Sequence, residues 1–123
     1  MDYTVNVKNN DALMLLMDGA RALETANYDK FKEVRDAGES DEERINWYEY
    51  RYLKAKAMLA SLHYNFYKNR IGEAKSYTPD TQVGRAEIAI MKAEADTAKA
   101  EYTFAALVAR EAENAWRESN SYK

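Results

Sequence analysis

The chain has 123 residues, 18 bases against 21 acids, a net charge of −3, one His and no Cys. That length supports one small helical domain over 1–123 with a modest core, and the lack of Cys excludes disulfides and thiolate metal sites and fits a reducing compartment. Four Gly and a single Pro leave little punctuation for a β protein, and apolar residues recur at helical spacing, so an all-α fold is expected.

Taken in order, Asp2 to Val7 alternates weakly through Tyr3, Val5 and Val7, so 1–9 reads either as an extended arm reaching a neighbour or as an unstructured lead-in. Asn10 or Asp11 then caps a first helix, with Leu13, Leu16, Ala20 and Leu23 toward the core and Met14 and Met17 widening that face. The pattern leaves open whether this helix runs through Phe31 and Val34 or breaks near Asn27. The longest early apolar run, Ala12 to Met17, is too short for a membrane span or a signal peptide. Asp36, Ala37, Gly38 and Glu39 make the next turn.

A long second helix spans Ser40 to Arg70. Ser40 and Glu43 form a capping box, acids open the helix and Lys68 and Arg70 close it, in agreement with the helix dipole. Two apolar series share the three-four rhythm: Ile45, Tyr48, Tyr52, Ala55, Leu59, Leu62 and Phe66, then Tyr50, Leu53, Ala57, Ala60, Tyr64, Tyr67 and Ile71. At about 100° per residue they lie about 150° apart, so the helix needs two neighbours. One is expected from this chain and the other from another subunit or a partner.

Gly72 to Thr78 reads as a connection, and Thr78 with Pro79 as the cap and first residue of a third helix reaching about Glu118. Its two seams are Ile88, Met91, Ala95, Ala98, Tyr102, Ala105, Ala109, Ala112 and Trp116, and, in parallel, Ile90, Ala93, Thr97, Ala100, Phe104 and Leu107. At 1.5 Å per residue the third helix is about 60 Å long and the second about 45 to 50 Å. The expected architecture is a long antiparallel helical hairpin plus a shorter N-terminal helix, with coiled-coil-like packing, in an oligomer. Tyr52, Leu59, Leu62, Phe66, Tyr102, Ala105 and Trp116 are the candidate oligomer interface.

Catalytic patterns are missing. There is no phosphate-cradling glycine loop and no nucleophile elbow, and His63 has no acid at helical spacing to complete a metal pair, so neither an enzyme nor a metal or other cofactor is expected. Charge, however, is unevenly spread. Asp36 to Glu49 carries six acids against Arg44, net −5, and Arg51 to Lys75 carries six bases against Glu73, net +5. Lys56, His63 and Arg70 are seven apart with Tyr64 and Tyr67 beside them, while Arg51, Lys54 and Lys68 point to another side. Bases that hold phosphates beside rings that stack on nucleobases are the general device of single-strand binding, so Lys54, Lys56, His63, Tyr64, Tyr67, Lys68 and Arg70 are the candidate nucleic-acid site. The bland alternative makes the tyrosines interface core and pairs the bases with acids.

The stretch LHYNFYKNR, Leu62 to Arg70, resembles the UvsY-type recombination mediators of tailed phages. Phe66 and Tyr67 match that family's aromatic pair, Arg70 its following base, and Glu94, Asp96 and Lys99 the opening of its last helix, over roughly Tyr50 to Trp116. Where the family carries a lysine and an arginine before the aromatic pair, this chain has Ser61 and His63; the family's glycine is Asn69. The resemblance implies a non-enzymatic cytoplasmic protein of an infected bacterium. It would form a ring-like homo-oligomer, bind single-stranded DNA and help a recombinase displace single-strand-binding protein. The residues alone leave two rivals open: a virion connector or scaffold with both seams in protein interfaces, and a small inhibitor that uses its acidic face on a host nucleic-acid enzyme.

Overall fold

The computed structural model describes residues 6–38 and 41–121, which form three helices and no strand: α1 (Asn10–Asp36), α2 (Glu42–Tyr77) and α3 (Gln82–Ser121). Consecutive helices run antiparallel. The all-α hairpin with a shorter first helix is the observed architecture, and its order is decided by α2. Both α1 and α3 pack along α2, on different sides of it, and the backbones of α1 and α3 do not approach each other. The molecule is therefore an open layer of three helices with α2 in the middle.

Each of the two apolar series of α2 meets one of these neighbours. Toward α1, Leu62 is buried with Leu13, Met17 and Ala20, and Val7, Leu59 and Phe66 pack on them. Toward α3, Ala57 and Ala109 are both fully buried, with Leu53, Met58, Tyr102, Ala105 and Ala106 around them. Two facing alanines let the helix backbones approach closely. At one end of α2 aromatic rings close both seams. Tyr52 lies 4.9 Å from Tyr28 and 6.4 Å from Phe31, while Trp116 of α3 lies 4.6 Å from Trp47 and 5.9 Å from Tyr50. Such pairs add about 0.5–1.5 kcal/mol each beyond the area they bury. The second seam of α2, expected to need another subunit, is thus covered from within the chain.

The caps are displaced from their expected positions. Asn9 caps α1, its side chain accepting from Ala12 N at 3.1 Å, and α1 runs unbroken past Asn27 with Phe31 and Val34 buried. Gly38, at φ +70°, is the left-handed residue that ends it. Leu16 and Leu23, expected in the core, are exposed, because Leu13, Met17, Ala20, Phe31 and Val34 set the line that meets α2. Asp41 caps α2 by accepting from Arg44 N at 3.3 Å; Ser40, the expected cap, and Glu39 lie outside the described residues. The helix does not stop at Arg70. It passes through Gly72 to Tyr77, since one glycine costs only about 0.5–1 kcal/mol in a helix and Ile71 and Ala74 are half-buried beyond and beside it.

Thr81, not Thr78, caps α3. Its hydroxyl accepts from Gly84 N at 3.0 Å and its carbonyl from Arg85 N at 2.9 Å, while the Pro79 carbonyl accepts from Thr81 N at 2.8 Å. Gly84 is buried against this turn. A methyl group there would collide with the Pro79 carbonyl oxygen and with Thr78 Cγ2.

Ahead of α1 the chain is held by side-chain amides. Asn65, only 1% exposed on α2, accepts from Val7 N at 2.7 Å through Oδ1 and donates to Val7 O at 3.0 Å through Nδ2. One side chain therefore pairs with both polar groups of one residue, as a neighbouring strand would. Asn69 donates to the same Val7 oxygen at 2.8 Å and to Asn10 Oδ1 at 3.1 Å, and Asn10 donates to Glu73 Oε1 at 2.9 Å. Asn65, Asn69 and Glu73 stand one helical turn apart, so a single polar edge of α2 fixes Val7 and the start of α1. Of the 1–9 stretch, which the sequence left open between an arm reaching a neighbour and an unstructured lead-in, the part that is described is tied to its own chain at Val7; residues 1–5 lie outside the described residues.

Asn65→Leu strips Val7 N–H of its acceptor and is expected to cost about 1–3 kcal/mol in denaturant unfolding, with Asn69→Ala milder because Asn65 still serves the Val7 oxygen. Gly84→Ala is expected to lower stability by about 1–3 kcal/mol through overpacking in the α2–α3 turn, read by the same measurement.

Candidate interaction surfaces

The seven candidate nucleic-acid residues do not share one surface. Lys56 and His63 line a groove of about 320 Å³ whose floor is α2 and whose walls are Glu24 of α1 and Glu101, Phe104, Ala105 and Val108 of α3. Arg70, one heptad further along the same row, lies over the Phe66 ring at 5.9 Å. Two acids thus face the row of bases. They would repel phosphate where the sequence suggested it would bind.

The electrostatics at His63 follow from this setting. Partial burial, then the Arg21 charge, hold its pKa below the ordinary 6.5, while Glu101 and Glu24 pull the other way. The imidazole is therefore favoured neutral in the fold, which weakens it further as a phosphate ligand.

Lys54 points to the opposite face. There it lines a second groove of about 480 Å³ with Leu23, Asn27, Trp47, Tyr50, Arg51, Ala55 and Met58. Arg51 lies over Trp47 at 5.6 Å and Lys54 over Tyr50 at 6.0 Å, and no acid lines this groove. Lys68 lies over Tyr64 at 5.0 Å, and Tyr67 meets Phe66 edge to face at 5.8 Å. The Tyr50 hydroxyl donates to Glu113 at 2.6 Å, and that bond, ahead of the Arg117 and Lys54 charges, holds the Glu113 carboxyl below its usual range. Arg51 and Trp47 were not among the candidate nucleic-acid residues. The i, i+4 pairs Trp47–Arg51 and Tyr50–Lys54 are the sequence signal that could have found them.

All seven candidate interface residues lie on seams inside the chain. Tyr52, Leu59, Leu62 and Phe66 meet α1, and Tyr102, Ala105 and Trp116 meet α2. The apolar surface left over is elsewhere. On α3, the outward series beginning near Val83 is bare, with Val83 68%, Ile90 60%, Phe104 69% and Leu107 53% exposed. On α1, Leu15, Leu16 and Leu23 edge an apolar groove of about 450 Å³ completed by Gly19, Ala20, Met58 and Leu62.

Among the described residues there is no group of three or more His, Asp or Glu side chains that could hold a metal ion, and no helix long and apolar enough to cross a membrane. No protein-family model matches the chain, and no curated protein or solved structure matches it.

Because the unfolded chain binds a proton at His63 more readily than the fold does, stability is full above the ordinary histidine value and is lost as pH falls through it. Denaturant midpoints are expected to drop between about pH 7.5 and 5.5, and His63→Gln should remove that component of the slope.

Proposed function

We propose that this chain is a non-enzymatic, self-assembling helical protein, of the kind that serves as a connector or scaffold component of a larger particle. The observation that carries this reading is the bare apolar stripe on the outer side of α3. Monomers rarely leave a long apolar row open to water, and such a row on an otherwise charged helix marks a protein contact. The stripe belongs to a helix whose inner seam is already satisfied by α2. Most of its surface is left open by the fold of a single chain.

A second reading is supported by a specific arrangement. Arg51 and Lys54, each over an aromatic ring, edge a groove that no acid lines, and bases beside aromatic rings suit single-stranded nucleic acid. It keeps the recombination-accessory role implied by the resemblance at Leu62 to Arg70, together with the recombinase and single-strand-binding protein as its partners. It moves the contact from Lys56 and His63 to the opposite face.

One experiment separates them: light-scattering mass of the purified protein with and without a fluorescent oligo-dT strand, at low and physiological salt. A discrete oligomer that ignores the strand is the expected result. Uptake of the strand with affinity falling steeply as salt rises, and lost in Arg51→Ala/Lys54→Ala, would instead establish the nucleic-acid role.

A further inference from the structure

The outer stripe of α3 has a defined charge pattern, and it selects an occupant. Ile90, Ala93, Thr97, Ala100, Phe104 and Leu107 alternate three and four apart and are exposed, with Phe104 also forming part of the wall of the groove that holds Lys56 and His63. From Ile90 to Leu107 the row is about 26 Å long at 1.5 Å per residue. Its middle is small, Ala93, Thr97 and Ala100, which allows another helix to come close, and its ends carry the large side chains.

The flanks differ in sign. At about 100° per residue, Glu87, Glu94 and Glu101 follow one side of the stripe at heptad spacing. Arg85, Lys92 and Lys99 follow the other side at the same spacing, with Arg110 beyond them and Asp96 the one acid among them. All are exposed. Arg85 is tied to Asp80 at 2.7 Å, whereas Lys92, Lys99 and Arg110 make no ion pair among the described residues.

We infer that this stripe is the seat of a second copy of the same chain, with the two α3 helices side by side and parallel about a two-fold axis. This deepens the assembly reading above and rests on it. The charge pattern decides the direction. In a parallel pair each acid row faces the partner's basic row, whereas an antiparallel pair sets acid row against acid row. A two-fold contact of this kind is self-complementary and closes, and it leaves the α1 groove on the far side of each copy open. The seven residues singled out from the sequence stay within each protomer. Ile90, Phe104 and Leu107 take their place at the interface.

Light-scattering mass and thiol crosslinking test this on the full chain. Wild-type protein is expected at twice the 14.2 kDa chain mass. Phe104→Glu/Leu107→Glu changes only exposed positions and is expected to halve that mass at unchanged helicity by circular dichroism. A wild-type monomer overturns both this inference and the assembly reading. An oligomer that keeps its mass in the double variant overturns the α3 surface alone and leaves assembly through another face standing. Direction is read separately. The chain has no Cys, so Ile90→Cys introduces a single thiol. It should give a covalent dimer by itself on mild oxidation in a parallel pair. A covalent dimer that appears only when Ile90→Cys is mixed with Leu107→Cys would overturn the parallel arrangement.

Discussion

The burial of two stripes on opposite sides of α2 is the constraint on which the rest of this structure depends. A helix with one apolar face can lie on the surface of a core; a helix with two must be sandwiched. Here α1 and α3 supply the two covers without meeting each other, so the core is not one mass but two seams that share a helix. The loss of either cover would expose half of α2. The aromatic clusters around Tyr52 and Trp116 sit where the two seams begin, and they fasten α1 and α3 to the same end of α2.

Such a layer has an unusual amount of edge for its size. Every helix other than the central one keeps an outer side, and the chemistry of those sides determines what the molecule can do. The inner side of α3 is rich in alanine because it must lie close to α2, while its outer side repeats the same rhythm and is exposed. The outer side of α1 exposes leucines near Met58 and Leu62. Between these edges, the two faces of the layer hold the polar surfaces: one where Lys56 and His63 meet Glu24 and Glu101, the other where Arg51 and Lys54 lie over aromatic rings. The positive charge concentrated in one part of the sequence is divided between these faces by the helical turn. As a result it does not make a single field.

The polar edge formed by Asn65, Asn69 and Glu73 shows a different economy. A buried amide is costly unless both its ends are used, and Asn65 uses both on one backbone residue. This ties Val7 to α2 and sets where α1 begins. It also explains why a polar residue occupies a position between the two apolar series without disturbing either.

The spacing of apolar residues was enough to establish two long helices in an antiparallel hairpin, a first helix of undecided length, and both seams of α2, because a three-four rhythm can be satisfied only by a helix with a neighbour on that side. Helix ends were less legible: Asn9 and Asp41 each lie next to an expected cap and Thr81 lies three residues beyond one, since several nearby side chains can cap equally well and the turn that packs best decides. What the sequence could not say was which seam is internal. Both series of α2 and both series of α3 look alike as patterns, and only the packing of α1 and α3 on α2 assigned three of the four to the core and left the fourth, through Ile90, Phe104 and Leu107, to water. The same holds for the bases, whose neighbours Glu24 and Glu101 come from helices far away in the chain, and for Asn65, whose partner lies 58 positions earlier. Periodicity is a local property that a chain carries in its order of residues; the choice of neighbour depends on all three helices at once and exists only in the folded layer.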